Sequence, residues 1–143
     1  KWNLHPPTSL SFVRHYLDLI PDSTMDEEMK DTAFILAKLQ TELATRDCSL
    51  VGHRASTIAF ASVMNSFDAL GMTDSASGSF AVHCFVSKIA SLGLVNKALF
   101  YDDSALPPVQ NRLYHAIASE NQSNISFLDP SDVGPMTPKQ TKP

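Results

Sequence analysis

Cysteine is scarce in this sequence: Cys48 and Cys84 are the only two in 143 residues, far apart and in no metal-ligand spacing. Such a pair indicates neither a disulfide framework nor a zinc site, so a reducing intracellular compartment is the simpler expectation. Cys84 lies in an apolar stretch, where a thiol behaves as a small hydrophobic group. We therefore do not expect it to act as a nucleophile.

Charged residues are also few. They make up 18% of the chain, and 11 Lys and Arg against 15 Asp and Glu leave a net charge of -4. A basic surface that could hold the phosphates of a nucleic acid is therefore not expected. The longest uncharged run, residues 55–67, is too short and too often interrupted by Ser, Thr and Asn to cross a bilayer about 30 Å thick. Neither a nucleic acid nor a membrane is predicted as a partner.

The motifs of common catalytic and nucleotide sites are missing. The sequence has no Gly-x-Ser-x-Gly elbow, no Gly-x-Gly-x-x-Gly and no Gly-x-x-x-x-Gly-Lys. Carboxylates concentrate between Asp22 and Asp31, where the positive end of a helix dipole and solvation explain them. We therefore expect a protein that is not an enzyme and that uses no cofactor, metal ion or small-molecule substrate.

What is present is helical periodicity in a chain of single-domain size. Leu10, Val13 and Leu17 recur at steps of three and four, which predicts an amphipathic helix over residues 8–20. A second helix should end near Arg46. Its start is predicted as a capping box, with Thr24 as the cap and Glu27 three residues later. Four apolar side chains are expected to line its buried face: Ile35, Leu36, Leu39 and Leu43.

The segment from Ala55 to Leu70 predicts a helix that is buried on nearly every side, because small and apolar residues occupy all of its faces. Small residues would let neighbouring helices approach closely, and the larger ones would fill the space between them. We expect polar substitution at Ile58, Leu39 or Phe67 to destabilise the fold by roughly 3 kcal/mol or more.

Two more helices complete the prediction. Phe80, Phe85 and Ile89 favour a fourth helix that ends near Gly93, and residues 106–108, Leu-Pro-Pro, fit the first turn of a fifth. The fold class is therefore all-α, a five-helix bundle around the central helix at about residues 55–70. We place the domain at residues 1–118. Residues 119–143 are predicted to form a disordered tail, since four prolines fall in the last 14 residues.

Within that tail, Thr137 precedes Pro138 and lies near two lysines. This is a minimal proline-directed phosphorylation pattern, and Thr137 is the candidate modification site of the chain.

Two segments resemble the cyclin family. The opening residues, in which a Trp-polar-Leu segment leads into a Pro-Thr pair, are similar to the junction between the two helical domains of cyclins. Residues 55–59, Ala-Ser-Thr-Ile-Ala, resemble the family's Pro-Ser-x-x-Ala start of a buried helix, with Ala55 in place of the usual proline. The likeness to the C-terminal cyclin box covers about residues 1–118. Its motif residues are Trp2, Pro7, Thr8, Ser56, Ile58 and Ala59.

The resemblance implies the C-terminal domain of a cyclin-like regulatory subunit of a cyclin-dependent protein kinase. Such a domain acts in cell-cycle control and cell division, in the nucleus and/or cytoplasm. It would stabilise an N-terminal box that carries the kinase-binding residues and that we expect to precede Lys1. The alternative is a helical adaptor of the transcription factor B class, which shares this architecture and binds DNA and the transcription machinery. The acidic composition disfavours that alternative.

Overall fold

The computed structural model describes residues 5–93 and 106–126, without the side chains of residues 124–126. Trp2 and Thr137 lie outside the described residues, as do residues 127–143 of the segment we predicted to be a tail. The described part contains helices and no strand, so the all-α prediction is confirmed. The helices are α1 (Ser9–Asp18), α2 (Glu27–Ala44), α3 (Ala55–Ala69), α4 (Ala76–Leu92) and α5 (Leu106–Ser126).

Helix α3 is the centre of the bundle, as its composition predicts. Ten of its residues are buried, from Thr57 to Phe67. On one side Phe60, Val63 and Phe67 join the main core with residues of α1, α2 and α4. On another side Ile58 and Ala61 form a second cluster with residues of α2 and α5. The other helices therefore surround α3 because its apolar side chains point in several directions.

The beginning of α2 differs from the sequence prediction. The cap is Asp26, whose Oδ1 accepts a hydrogen bond from the backbone N–H of Met29 at 2.8 Å. Thr24 instead belongs to the preceding turn, where its N–H donates to the Pro21 carbonyl. Met25 is 3% exposed and packs in the core. We attribute the change of cap residue from Thr24 to Asp26 to the burial of Met25. With Met25 held in the core, Asp26 is the next residue and stands at the start of α2. The capping box of Thr24 and Glu27 is therefore wrong.

The buried face of α2 is also different from the predicted one. Small side chains, Ala33, Ala37 and Ala44, pack towards the interior, so that α2 can lie close to α3. Leu43 is buried and Leu36 is half-buried, but Ile35 is 65% and Leu39 is 42% exposed. The large side chains define the predicted face, whereas close helix packing selects the small ones. The predicted core position of Leu39 is therefore wrong.

Helix α4 covers the main core through Ala81, Phe85 and Ile89. The Phe85 ring packs edge-on against Phe67, with the centroids 5.4 Å apart. Cys84 is the neighbour of Phe85 and lies on the exposed side of the helix. Adjacent residues on a helix point in directions about 100° apart, so Cys84 is exposed while Phe85 is buried.

Helix α5 reaches Ser126 and thus continues past residue 118, where the sequence placed the end of the domain. Residues 119–126 look polar enough for a tail, but two of their serine hydroxyls bond to carbonyl groups of the helix itself. The Oγ of Ser119 donates to the His115 carbonyl at 2.9 Å, and the Oγ of Ser123 donates to the Ser119 carbonyl at 2.9 Å. Glu120 also lies 4.0 Å from Arg46. The helix therefore extends eight residues beyond residue 118, and the domain boundary itself stays a prediction.

Candidate functional site

The start of α1 lies beside two shallow hollows, which together we call the N-terminal face. The larger, of about 330 Å³, lies between the first residues of α1 and the last turns of α2. The smaller, of about 180 Å³, extends to the loop before α3. The two hollows share Ser9, Thr41 and Thr45. The face is lined by Thr8, Ser9, Leu10, Thr41, Glu42, Ala44, Thr45, Arg46, Leu50, Val51, His53, Ala55 and Ile58.

Local sequence explains how the chain enters this face. Thr8 is the cap of α1, and its Oγ1 accepts a hydrogen bond from the N–H of Ser11 at 3.2 Å. Pro7 precedes it with an exposed side chain. Proline fixes its own φ and keeps the residue before it extended. The Pro7-Thr8 pair therefore sets where the extended chain ends and the helix starts.

The threonine hydroxyls of the face are used internally. The Oγ1 of Thr41 donates to the Lys38 carbonyl at 2.8 Å, and that of Thr45 donates to the Glu42 carbonyl at 2.7 Å. Both hydroxyl hydrogens are thus bonded to carbonyl groups of α2 and are not available as donors to a ligand. Val51 adds an apolar side chain that is 76% exposed. Glu42 and Arg46 bring charge to the larger hollow only. The rest of the face is weakly polar, which suits contact with another protein surface better than recognition of a polar small molecule.

The start of α3 is fixed to α1 beneath this face. The Oη of Tyr16 donates to the backbone carbonyl of Ser56 at 3.3 Å. Burial raises the pKa of Tyr16 to about 12, since the phenolate would lose its hydration there. Tyr16 therefore stays neutral and donates this hydrogen bond at physiological pH.

The structure brings some of the sequence-predicted motif residues together and separates others. Thr8 lines the larger hollow and Ile58 the smaller one, so both lie at the N-terminal face. Ser56 is half-buried and contributes its carbonyl to Tyr16. Ala59 is fully buried in the main core, away from any surface. Their proposed role as motif residues stays a prediction.

Sequence reasoning missed a buried polar junction between α2, α3 and α5. The Nδ2 of Asn65 donates to Gln40 Oε1 at 3.0 Å and to the Gln110 carbonyl at 3.2 Å. The Nε2 of Gln40 in turn donates to the Ser62 carbonyl at 3.2 Å and to Ser66 Oγ at 3.3 Å. Ser62, Asn65 and Ser66 recur at steps of three and four, and this spacing was the signal that could have indicated a polar stripe on α3.

No arrangement for chemistry is found in the described residues. No group of three or more His, Cys, Asp or Glu side chains there is placed to hold a metal ion. Cys48 and Cys84 are both exposed free thiols. Across residues 5–93 and 106–126, none of the helices combines the length and the apolar content that a membrane span requires.

Comparison with known families assigns this domain. The family model described as "Cyclin, C-terminal domain" matches residues 7–131, which is most of the chain. The chain therefore belongs to the cyclin C-terminal domain family, and the resemblance found in the sequence is confirmed. Neither the curated proteins nor the solved structures contain a match to it. Domains of this family are regulatory and not catalytic, which fits the expectation of a protein without enzyme activity.

Proposed function

We propose that this domain is the C-terminal box of a cyclin that serves as regulatory subunit of a cyclin-dependent protein kinase in cell-cycle control. The family match over residues 7–131 is the observation that carries the proposal. In the complete protein the domain packs against an N-terminal box and stabilises it, so that this box can hold the kinase in its active form.

The N-terminal face is the surface we assign to that contact. It surrounds the point where the chain enters α1, so a domain that precedes α1 is held near it by covalent connection. Such a connection gives a high effective concentration, and a contact surface of modest strength then suffices. The weak polarity of the face and the exposed Val51 support the same assignment.

We propose the nucleus and/or cytoplasm as the location of the protein. The free, exposed thiols of Cys48 and Cys84 support this, because disulfide-forming compartments would expose them to oxidation. Detection of the tagged full-length protein by microscopy tests the proposal, and a purely extracellular distribution would contradict it.

The kinase partnership is tested with the full-length parent protein. Affinity purification should recover a cyclin-dependent protein kinase, and the parent should stimulate its phosphorylation of a protein substrate. Recovery of no kinase, together with no stimulation, would show the proposal to be wrong. Retarded DNA in a gel-shift assay at low salt would instead favour the adaptor related to transcription factor B.

A matched pair of variants tests the assignment of the N-terminal face. Val51→Asp places a charge on this face, and Phe80→Asp places one on α4, where Phe80 is 66% exposed. Both positions are exposed, so neither variant should lower the melting temperature much. We expect Val51→Asp to lower kinase stimulation about tenfold, the equivalent of about 1.4 kcal/mol, and Phe80→Asp to leave it unchanged. If Phe80→Asp lowered kinase stimulation and Val51→Asp did not, the contact with the N-terminal box would lie on α4 instead.

A further inference from the structure

A polar groove of about 600 Å³ lies between the C-terminal turn of α2, the loop after it and the second half of α5. Three basic side chains, Arg46, Arg112 and His115, line it, and its carboxylates are Asp47 and Glu120. We call it the Arg46–Arg112 groove. Its two arginines are matched by two carboxylates, so what distinguishes it from the N-terminal face is the pair of guanidinium groups and not a net positive charge. Arg46 also borders the larger hollow of that face.

The hydrogen-bonding capacity of Asp47 is largely used inside the structure. Its Oδ2 accepts from Arg112 Nε at 2.5 Å, and its Oδ1 accepts from Arg112 Nη2 at 3.3 Å. The same Oδ1 accepts from the N–H and the Oγ of Ser49, at 2.9 and 2.7 Å. The Asp47 side chain is only 12% exposed. This carboxylate therefore offers little to a ligand in the groove.

The guanidinium groups keep most of their donors available. Arg46 is 72% exposed, and its distance of 4.0 Å from Glu120 is beyond hydrogen-bond length. Arg112 is 53% exposed, and its bonds to Asp47 use Nε and Nη2 but not Nη1. A guanidinium carries five N–H donors in a fork that matches the oxygens of a phosphate or carboxylate. The groove therefore presents more unsatisfied donors than acceptors, which suits an anion with several oxygens.

We propose that the Arg46–Arg112 groove binds a phosphate monoester, and that its occupant is phosphorylated Thr137 of the same chain. A phosphothreonine carries a charge of about -1.5 to -2 at pH 7 and three strong acceptor oxygens. It displaces the weakly held Glu120 from Arg46 and bonds the outward-facing donors of Arg112. The inference concerns this 143-residue chain by itself and holds whether or not a kinase is the partner under the proposed function.

The length of the chain permits this contact. Helix α5 forms one wall of the groove and ends at Ser126, and Thr137 follows eleven residues later. Eleven extended residues span up to about 36 Å. The return distance along α5 from Ser126 to His115 is about 17 Å at the helical rise of 1.5 Å per residue. Because the phosphate is tethered, its effective concentration at the groove reaches the millimolar range, which compensates for the exposure of the site.

The test uses the full 143-residue chain phosphorylated by a proline-directed kinase. Thr137-Pro138 is the only Ser-Pro or Thr-Pro dipeptide in the sequence, so a single product is expected. A ³¹P NMR titration then measures the second pKa of the phosphate, which is ordinarily near 6. We expect docking on the arginines to lower that pKa by at least about half a unit.

Two arginine variants distinguish the groove from general electrostatics. Arg46→Ala should return the phosphate pKa to the value of a free phosphopeptide with the sequence of residues 131–143. Arg54→Ala removes the same charge from the loop before α3, outside the groove, and should leave the lowered pKa in place. Both side chains are exposed, and thermal melting of each variant verifies that the fold is kept.

Three results would overturn the proposal. The first is a phosphate pKa in the intact chain equal to that of the free phosphopeptide. The second is a lowered pKa that survives Arg46→Ala, which would place the phosphate elsewhere. The third is a shift that grows with protein concentration, since that would mean docking on a second copy.

Discussion

The side-chain amide of Asn65 on α3 donates to Gln40 on α2 and to the backbone of Gln110 on α5, so that one buried residue joins three helices. Asn65 is 1% exposed and Gln40 is 3% exposed, and the Oδ1 of Asn65 has no hydrogen-bond partner within the described residues. Buried polar groups cost free energy unless they are paired, so this junction demands one relative placement of the helices. The apolar contacts around it allow more freedom, since they are not directional.

Truncation of the Asn65 side chain should therefore destabilise the fold. In Asn65→Ala, the Oε1 of Gln40 and the Gln110 carbonyl lose a donor in a buried place, and we expect the free energy of unfolding to fall by about 1–3 kcal/mol. Urea denaturation measures the change. Asn111→Ala, at an exposed position of α5, is the control and should change the value by less than about 0.5 kcal/mol. Equal stability of the two variants would show that the junction contributes nothing.

The ion pair of Asp47 and Arg112 predicts a dependence on acid. The Arg112 hydrogen bond, followed by those from Ser49, lowers the pKa of Asp47 from 3.8 to about 2. A carboxyl whose pKa is lower in the folded state stabilises the fold above the unfolded-state value and loses this effect as the pH falls towards the folded-state value. The contribution is therefore constant above about pH 5 and disappears between about pH 4 and 2.

Melting temperatures of the wild type and Asp47→Asn across pH 2–7 measure this contribution. The wild type should melt higher than the variant above about pH 5, and the two curves should converge as the pH approaches 2. Asp22→Asn is the matched control, because Asp22 also has a basic partner, Lys30, but its side chain is 85% exposed. A difference between the wild type and Asp47→Asn that persists unchanged at pH 2 would contradict the argument.

Features of the fold that depend on local composition can be predicted from the sequence, and features that depend on tertiary contacts cannot. The burial of α3 follows from its composition, because residues such as Ile58 and Phe67 cover more than one face. The choice of Asp26 over Thr24 as the cap depends on the burial of Met25, which is a tertiary event. The pairing of Asp47 with Arg112 joins residues 65 positions apart, and no local pattern encodes that distance.

The close approach at Gly78 gives a prediction that runs against helix propensity. Gly78 lies in the first turn of α4, where its N–H donates to the Oγ of the Ser75 cap at 3.0 Å. A Cβ at this position would collide with the backbone carbonyl oxygen of Met72 and would lie 2.8 Å from the Met72 Cα. Backbone atoms cannot move aside as the end of a side chain can, so the start of α4 would have to shift.

We therefore expect Gly78→Ala to destabilise the fold by about 1–3 kcal/mol, although alanine is the better helix former. Gly52→Ala is the control, because a Cβ there meets no atom within 4 Å. Thermal or urea denaturation of both variants compares them. If Gly78→Ala were as stable as the wild type or more so, the tight contact with Met72 would not exist in solution.

The exposure of Leu39 is the clearest difference between the structure and the sequence prediction, which placed this side chain in the core. Ile58 is 8% exposed within the second cluster, whereas Leu39 is 42% exposed on the outside of α2. Ile58→Asp buries an unpaired charge and removes apolar contacts, so it should cost roughly 3 kcal/mol or more and leave the domain largely unfolded. Leu39→Asp keeps its carboxylate in water and should cost less than about 1 kcal/mol. Urea denaturation measures the free energy of unfolding of the two variants. If Leu39→Asp lowered it as much as Ile58→Asp, Leu39 would have to be a core residue, as the sequence predicts.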